Sequence, residues 1–259
     1  MSLSNNLRSG ETGRSLNLCG NHVRLQKMSR INLYQTPEHG CPYLDKKMSV
    51  TQFVDPDKVP NIHLYSQLSQ LGFRRSGEHI YRPSCPDCNS CISIRVPVSE
   101  AVFSKNQQRC LNRAKDFDFI HTHAVDSDEH YNIYEKYINS RHKGGDMYPA
   151  TRELFRNFLL SSWANTQFLE IRHDSTLIAS AVYDQLIDGI SAIYCYFDPD
   201  YSRYSPGKLA ILKQLQSAQH KGLSYLYLGY QIEECDKMNY KSNYKPAEQF
   251  INMAWQRIE

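Results

Sequence analysis

The order of periodic segments in residues 116–259 most strongly constrains the fold. A strand-like run (FDFIHTHAV) precedes two helical segments, three strand-like runs, one strong helix and a last strand. The three central runs, TQFLEIRH, TLIASAVYDQL and GISAIYCYF, are joined by short turns that contain Asp174 and Gly189, as in an antiparallel meander. The helix GKLAILKQLQSAQHKG stops at Gly222. This order predicts an α+β or mixed α/β arrangement.

The same order resembles the acetyltransferase-like (GNAT) topology, a likeness of fold that does not settle function. In YCYFDPDYSRYSPGKLAIL a strand turns through Asp198 into a helix. The N–H groups at a helix start can hold an anion, and Asp198 is a candidate substrate contact. An acetyl-CoA clamp would need a Gly-rich turn here. The sequence offers only Gly207 after Pro206, which argues against that ligand.

Composition and charge divide the chain further. Residues 1–27 lack periodicity and are predicted to be a flexible extension, with Met28 as a possible alternative start. Residues 28–115 are predicted to form a small N-terminal domain that contains a cysteine loop, and residues 116–259 a GNAT-like domain with a mixed sheet. Residues 1–115 carry 16 Lys and Arg against 8 Asp and Glu, whereas residues 116–259 carry 14 against 19. We expect the basic half to bind a polyanion or an acidic ligand. The alternative is that the asymmetry is ordinary variation of surface charge without a binding role.

Two features bear on location. The sequence has no run of 18 apolar residues, so no transmembrane helix is expected, and its polar start does not suggest a secretory signal. Eight cysteines without such a signal indicate a reducing compartment, and we predict a cytoplasmic protein without a membrane partner.

The densest local motif is a C-x2-C-x2-C array formed by Cys85, Cys88 and Cys91. Thiols at this spacing can converge on one ion. A zinc site or an iron–sulfur cluster needs a fourth ligand, for which Cys41 is the candidate and His39 a weaker one. The alternative is a loop of free thiols.

Basic residues flank this loop. Arg74, Arg75 and Arg82 precede it, and a further basic run extends from Lys105 to Lys115. Arginine binds carboxylates and phosphates with two parallel hydrogen bonds. A solvated helix face is the alternative for the Lys105–Lys115 run.

The C-terminal segment YLYLGYQIEECDKMNYKSNYKPAEQF runs from a strand into a loop rich in Tyr, Lys and acids. Loops set on a rigid sheet concentrate binding groups. The candidates here are Tyr230, Asp236, Lys237, Tyr240 and Lys241, and an ordinary packed surface loop is the alternative.

A candidate general base lies elsewhere in the chain. His142 lies in NSRHKGGDMYP, and its ordinary pKa near 6.5 suits such a role, although a lone histidine is more often structural.

The chain contains no G-x-x-x-x-G-K-[ST], G-x-S-x-G, H-E-x-x-H or G-x-G-x-x-G motif. Nucleotide hydrolysis, serine hydrolysis, zincin proteolysis and dinucleotide binding are therefore disfavoured.

Taken together, GFRRSGEHIYRPSCPDCNSCISIRVPV and QQRCLNRAKDF resemble the N-terminal region of the aminoacyl-tRNA–protein transferases. YCYFDPDYSRYSPGKLAIL and YLYLGYQIEECDKMNYKSNYKPAE resemble that family's C-terminal region. The resemblance runs from about Tyr34 to Phe250, and the compact length is similar to the bacterial aspartate/glutamate leucyltransferases. One departure is Leu44, where the arginyltransferases carry a second cysteine shortly after the first. A metal site inferred from those relatives therefore does not carry over directly.

The resemblance implies that an aminoacyl group, leucine in this branch, moves from aminoacyl-tRNA to the α-amine of proteins that begin with Asp or Glu, which marks them for N-end-rule degradation. The ester is already activated, so the protein must position the amine, stabilise the oxyanion and supply at most a modest base. We expect Arg74, Arg75 and Arg82 to bind the acidic residue. We expect Lys237 and Lys241 to contact tRNA phosphates.

For proton transfer, or for holding the 3′-terminal ribose, the candidates are Tyr230, Asp236 and Tyr240. The open alternatives are arginyl transfer, a GNAT acetyltransferase, and a non-catalytic metal- or nucleic-acid-binding module.

Overall fold

The computed structural model describes residues 14–16, 31–58, 60–145 and 147–258. Strands in the first part of the chain are β1 (Arg14–Leu16), β2 (Ile31–Gln35), β3 (His39–Gly40), β4 (Met48–Ser49), β5 (Thr51–Val54), β6 (Arg74–Ser76) and β7 (His79–Pro83). Those that follow are β8 (Ile92–Pro97), β9 (Asp118–His123), β10 (Thr166–His173), β11 (Thr176–Gln185), β12 (Gly189–Phe197), β13 (Tyr225–Gln231), β14 (Ala247–Ile251) and β15 (Ala254–Ile258). The α-helices are α1 (Ile62–Gln70), α2 (Lys105–Arg113), α3 (Asp128–Arg141), α4 (Arg152–Leu159) and α5 (Pro206–His220). Short 3-10 turns cover Val98–Glu100, Pro199–Tyr204 and Asn239–Asn243.

Local side chains explain where the helices begin. Asn61 accepts a hydrogen bond from the N–H of Leu64 at the start of α1, and Ser104 forms a reciprocal capping box with Gln107 at the start of α2. The side chain of Ser127 accepts a hydrogen bond from the N–H of His130 and so caps α3. Each cap satisfies an N–H that the helix itself leaves unpaired, so these polar residues fix the helix starts.

The larger sheet has eight strands in the order β15-β14-β8-β13-β12-β11-β10-β9. The predicted meander is confirmed, because β10, β11 and β12 pair antiparallel in sequence order. β13 then pairs parallel to β12 through the crossover helix α5, which makes the sheet mixed. Helix α5 supplies Leu209, Leu212 and Leu215 to the core on one face. Helices α3 and α4 bury Tyr134 and Phe155 against the other face.

The smaller sheet has five strands in the order β1-β2-β5-β7-β6, and α1 packs beside it. Its core also includes Tyr227 from β13, so the two sheets share a packed boundary. Strand β8, which belongs to the first predicted unit, lies inside the larger sheet between β13 and β14. The larger sheet therefore takes strands from both sides of residue 115.

These observations confirm the predicted mixture of helices and strands around a large mixed sheet. The predicted extension, residues 1–27, lies outside the described residues except for Arg14–Leu16, which pair with β2. Within the parts of the chain that the structure describes, no helix is long and apolar enough to span a membrane.

Candidate active site

A cleft opens in the larger sheet where β12 and β13 separate. The two strands pair over three residues only, ending at Ser191 and Tyr227. Beyond that point residues 192–195 of β12 and Gly229 of β13 are half-buried, although their flanking residues are buried. We call the space between 192–195 and 228–231 the β12–β13 cleft.

Irregularities in both strands explain this separation. The pairing of β11 with β12 shifts register at Ile193, and the pairing of β8 with β13 shifts at Leu228, so each strand carries one extra residue just beyond their last shared pair. A β-bulge bends its strand and increases the local twist. Gly229 has φ +89°, which an L side chain rarely adopts, so a glycine is suited to this bend. Two bulges at one level therefore turn the strands apart.

Arg74 of β6 lies against Gly229 at this cleft. A Cβ built on Gly229 would lie 3.7 Å from Nη2 of Arg74. The arginine is 4% exposed, and neither Nη1 nor Nη2 has a hydrogen-bond partner among the described residues. Burial lowers the pKa of Arg74, and nearby phenol groups, including that of Tyr227, only partly oppose this effect. A buried cation with orphaned donors is costly by itself and is suited to receive an anionic ligand.

Lys241 brings a second buried amine to the cleft. Its Nζ donates a hydrogen bond to the backbone carbonyl of Tyr230 and lies 3.5 Å from Sδ of Met238. Burial and, to a smaller extent, the positive charge of Arg74 together lower the pKa of Lys241 to about 7. Lys241 is therefore close to half neutral near pH 7 and can exchange a proton there.

Tyr230 has a structural role in this arrangement. Its hydroxyl donates to the carbonyl of Gly72 at 2.9 Å and lies 3.3 Å from the carbonyl of Tyr81. Burial raises its pKa well above the ordinary value, so the phenol stays protonated. The hydroxyl joins β13 to the smaller sheet, and the backbone carbonyl holds Lys241.

Arg75 faces away from the cleft. Its Nε lies 2.6 Å from Oδ2 of Asp184 and its Nη2 lies 2.9 Å from Oδ1, while Nη1 donates to the carbonyl of Gly77 at 2.8 Å. Both side chains of the ion pair are fully buried. Its donors are already bound inside the protein, so Arg75 joins the two sheets in this structure, and the acceptor-binding role expected for it stays a prediction without a free donor to support it.

Arg82 is half-buried on β7. Its Nε donates to Oε1 of Gln52 at 2.9 Å, and the guanidinium lies over the ring of Phe73. Burial lowers the pKa of Arg82, an effect that Tyr230 partly opposes, so Arg82 lies near the phenol of Tyr230. Within the described part of the chain Arg82 forms no ion pair, in contrast to Arg75, which pairs with Asp184.

His142 lies at the end of α3 on the β12 side. Its ring lies 5.2 Å from that of Tyr137, and its buried Nε2 has no hydrogen-bond partner among the described residues. Burial first, and then the charges of Lys237 and Arg141, lower the pKa of His142, so the ring is neutral at pH 7. The loop that carries Lys237 therefore passes close to the end of α3.

Tyr240 extends from the same loop and remains 42% exposed. It lies close enough to Tyr137 of α3 to raise that phenol's pKa, after the larger effects of burial and of Cys195. The structure thus brings Arg74, Tyr230, Tyr240 and Lys241 to one region, with His142 and Lys237 at its border. Three further residues near this region, Tyr137, Tyr194 and Cys195, were not predicted from the sequence, because their positions depend on how far β12 and β13 separate.

Asp198 and Asp236 lie apart from this group. Asp198 pairs with Nζ of Lys136 at 2.6 Å and accepts from the N–H of Asp200, so it caps the turn before α5. Asp236 is exposed, and its Oδ1 accepts a hydrogen bond of 3.4 Å from Asn239. Both carboxylates have local structural partners.

The predicted cysteine ligands lie near one another but do not form a metal centre. Burial raises the pKa of Cys91 to about 12, with smaller contributions from Cys85, Cys41 and Cys88. Cys85 instead exchanges hydrogen bonds with Val50. Among the described residues no group of three or more His, Cys, Asp or Glu could hold a metal ion. The thiols are chemically suitable ligands that do not converge, so the predicted zinc or iron–sulfur site is not confirmed.

Two family models match the chain. The model described as "Arginine-tRNA-protein transferase, N terminus" matches residues 39–109, and the model described as "Arginine-tRNA-protein transferase, C terminus" matches residues 129–251. Together they cover well over half of the sequence.

Curated relatives agree with these matches. An aspartate/glutamate leucyltransferase from Saccharophagus degradans is 48% identical over 229 residues, which cover 88% of this chain and 97% of the relative. Another, from Teredinibacter turnerae, is 45% identical over 236 residues, which cover 91% of this chain and 97% of the relative.

Among solved structures, L-PGS from Bacillus licheniformis is 11% identical with a TM-score of 0.41, and the match covers 64% of this chain and 51% of that chain. This likeness is too weak to support a conclusion.

Proposed function

The chain belongs to the arginine-tRNA–protein transferase family, and from this premise we propose that it transfers leucine from leucyl-tRNA to the α-amine of proteins that begin with Asp or Glu. The curated relatives, named aspartate/glutamate leucyltransferases, are similar to this chain over nearly their whole length. The structural observation that carries the proposal is the buried guanidinium of Arg74 at the β12–β13 cleft, whose terminal nitrogens have no hydrogen-bond partner among the described residues. Extension by leucine would mark the acceptor for N-end-rule degradation in the cytoplasm. The described cysteines are free thiols, as that compartment favours.

Arg74 is the proposed receptor for the acceptor's first side chain. Its two terminal nitrogens can form parallel hydrogen bonds with one carboxylate, which would satisfy both orphaned donors and neutralise a buried charge. An amide of the same shape has no charge and presents hydrogens to one of these donors, so Asn and Gln should bind poorly. Arg82, half-buried on the neighbouring strand, is a second candidate for this carboxylate.

Lys241 is the proposed proton acceptor. The acceptor's α-ammonium, with an ordinary pKa of about 8, must lose a proton before its nitrogen can attack the ester carbonyl. A carboxylate bound at Arg74 would offset the charge that lowers the pKa of Lys241, and the amine would then become a stronger base. Because its Nζ is buried, this assignment replaces the phosphate contact expected from the sequence.

The proposed reaction is an aminolysis. The carbon–nitrogen bond to the α-amine forms and the carbon–oxygen bond to the tRNA ribose breaks, so the amine nitrogen loses a proton and the ribose oxygen gains one. Tyr240 and neutral His142, which border the cleft, are the candidate groups for the ester and the ribose. Lys237 is exposed on the adjoining loop and can contact tRNA phosphates.

Three finer assignments accompany this proposal. We assign the larger sheet to the GNAT type, because its parallel β12–β13 pair opens after three residue pairs beside a crossover helix. The division into units 28–115 and 116–259 stays a proposal, with β8 crossing from the first unit into the larger sheet. A zinc ion or cluster at Cys41, Cys85, Cys88 and Cys91 would require these side chains to reorient, and the reaction described above uses none of them.

A transfer assay with isosteric acceptors tests the function. Purified protein is incubated with leucyl-tRNA and peptides that differ only in the first residue, which is Asp, Asn, Glu, Gln or Ala, and products are identified by mass spectrometry. We expect leucine on the Asp and Glu peptides and essentially none on the other three. Equal extension of the Asp and Asn peptides would overturn the carboxylate receptor. Parallel reactions with arginyl-tRNA and with acetyl-CoA should give little product, and preferential use of either donor would contradict the proposed donor.

A further inference from the structure

A second concave site adjoins the β12–β13 cleft. A cavity of about 610 Å³ lies between the β6–β7 turn and helix α4, and it extends to Tyr134 of α3. This volume is within the range of small-molecule sites. None of the residues considered for the acceptor carboxylate or for proton transfer lines it.

The cavity is next to the reaction cleft. Ser76 lines the cavity and Arg74 borders the cleft, and side chains two residues apart on a strand point to the same face. On the opposite side, Phe158 lines the cavity and its ring lies 5.2 Å from that of Tyr194, a β12 residue within the cleft. A ligand extending from the cavity would therefore reach the cleft over a short distance.

The cavity wall is mainly apolar. Leu154 and Phe158 lie on one face of α4, and Met147 and Leu160 continue the same surface. Asp126 also lines the cavity, but its carboxylate pairs with the guanidinium groups of Arg152 and Arg156. A long cationic side chain would lie against this apolar wall and could not pair with Asp126, because that carboxylate is already bound. An aliphatic side chain would be buried favourably there.

The lining also includes polar residues, among them Ser76, His79, Asn157 and Ser161, and two further polar groups are informative about the ligand. The hydroxyl of Tyr134 is fully buried and has no hydrogen-bond partner among the described residues. The carboxylate of Glu78 is oriented by Ser162, whose N–H donates to Oε1 at 2.8 Å and whose hydroxyl donates to Oε2 at 3.0 Å. A buried orphan hydroxyl points to a missing polar partner, and an oriented carboxylate suits an amino group.

We propose that this cavity holds the leucyl group of the donor. The aliphatic side chain lies on the wall formed by Leu154 and Phe158, the free α-amino group lies toward Glu78, and the ester carbonyl points into the β12–β13 cleft. This inference rests on the proposed function and adds to it the place where the donated amino acid is recognised. It also gives a physical reason for leucine over arginine.

The principal test fills the cavity. Leu154→Trp should lower kcat/KM for leucyl-tRNA at least 30-fold, mainly through KM for that donor, and leave KM for the Asp peptide unchanged. The matched control is Glu153→Trp, which places the same side chain at an exposed position outside the cavity on the same helix. Equal behaviour of the two variants, or a loss expressed in KM for the acceptor peptide, would overturn the proposal.

A complementary variant enlarges the cavity. With one tRNA body charged with either leucine or phenylalanine, Phe158→Ala should increase phenylalanyl transfer relative to leucyl transfer about tenfold, since adding or removing a few carbon atoms in an apolar pocket changes selectivity on that scale. An unchanged ratio would count against the assignment.

Binding of a non-reactive probe separates this inference from the transfer activity. Adenosine carrying leucine through a 3′-amide is titrated into wild-type protein and the two tryptophan variants by calorimetry. We expect binding to the wild type and Glu153→Trp, and at least tenfold weaker binding to Leu154→Trp. If the protein transfers leucine but the three proteins do not differ in probe binding as expected, the cavity assignment is refuted and the proposed function stands. If probe binding differs as expected but no leucine is transferred from leucyl-tRNA, the proposed function is refuted and the cavity remains a binding site for a leucyl-nucleoside.

Discussion

Arg74 and Arg75 are neighbours on β6 and are almost equally buried, but they serve two different regions of the protein. Arg75 points to the boundary between the sheets, where Asp184 binds it with two short contacts. Arg74 points to the β12–β13 cleft, where its guanidinium lies over the ring of Tyr227 and its terminal nitrogens have no hydrogen-bond partner among the described residues. Removing the counter-ion of a buried pair is strongly destabilising, whereas a buried charge that has none is costly until a ligand supplies one. Burial alone therefore does not distinguish a structural arginine from a binding one.

The largest expected effect is at the sheet boundary. Arg75→Met should lower the free energy of unfolding by about 3–5 kcal/mol, because it leaves the carboxylate of Asp184 buried without its cation. Urea unfolding followed by circular dichroism measures this loss. The double variant Arg75→Met with Asp184→Leu should recover a substantial part of it. A loss below about 1 kcal/mol would remove the distinction between the two regions.

Arg74→Met should affect the two quantities in the opposite way to Arg75→Met, with a loss of activity and no loss of stability. The kcat/KM for an Asp peptide should fall about 100-fold, which corresponds to about 2.7 kcal/mol of lost transition-state binding. The free energy of unfolding should remain the same or rise, because an unpaired buried charge has been removed. Transfer kinetics and urea unfolding, measured on the same preparation, check the expected fall in kcat/KM and the expected absence of a fall in the free energy of unfolding. A strongly destabilised Arg74→Met with normal kinetics would reverse the roles assigned to the two arginines.

The buried amine of Lys241 predicts a pH dependence of stability. Its pKa of about 7 in the folded state lies below the ordinary 10.5, so between those values the folded protein binds fewer protons than the unfolded chain. The free energy of unfolding should therefore rise with pH in this window, by about 1.5 kcal/mol from pH 7 to 8.5, relative to Lys241→Met. Unfolding measured at several pH values gives the difference. Parallel profiles for the two proteins would show that Lys241 is not a buried, destabilised amine.

Arg82→Gln should have the smallest effect. The side chain is half-buried and already shares a hydrogen bond with Gln52, so we expect less than a threefold change in kcat/KM for the Asp peptide and less than about 1 kcal/mol in stability. A tenfold rise in KM for that peptide alone would instead make Arg82 a second ligand of the acceptor carboxylate. In that case Arg75 would have the structural role, and Arg74 and Arg82 would both bind the acceptor carboxylate.

The central strands and α5 could be predicted from the sequence, whereas the last two strands could not. The antiparallel meander and the helix α5 lie where the sequence analysis predicts them. The strands β14 and β15 were not predicted, because their attachment depends on long-range contacts. Arg95 of β8 pairs with Glu248 of β14 at 2.6 Å and lies over the ring of Trp255 in β15.

The candidate site was predicted in part. The sequence indicated the C-terminal loop and the arginines before the cysteine array, and the structure brings Arg74, Tyr230, Tyr240 and Lys241 together. A glycine inside a strand is a signal for a bulge or for close approach, so Gly229 could have indicated the cleft. No comparable signal marked Tyr194, because its exposure depends on the separation of two strands joined by α5.

The amino-acid sequence was sufficient to predict the secondary-structure periods, the family and the basic residues from which candidates for the site are drawn. These follow from short-range patterns and from motifs that keep their order along the chain. The three-dimensional arrangement was needed to show which of the two adjacent arginines has a counter-ion, since β-strand alternation requires opposite directions but does not say which direction leads to Asp184, 109 residues away. A counter-ion from a distant strand reaches only one of the two, and the other remains open at the cleft.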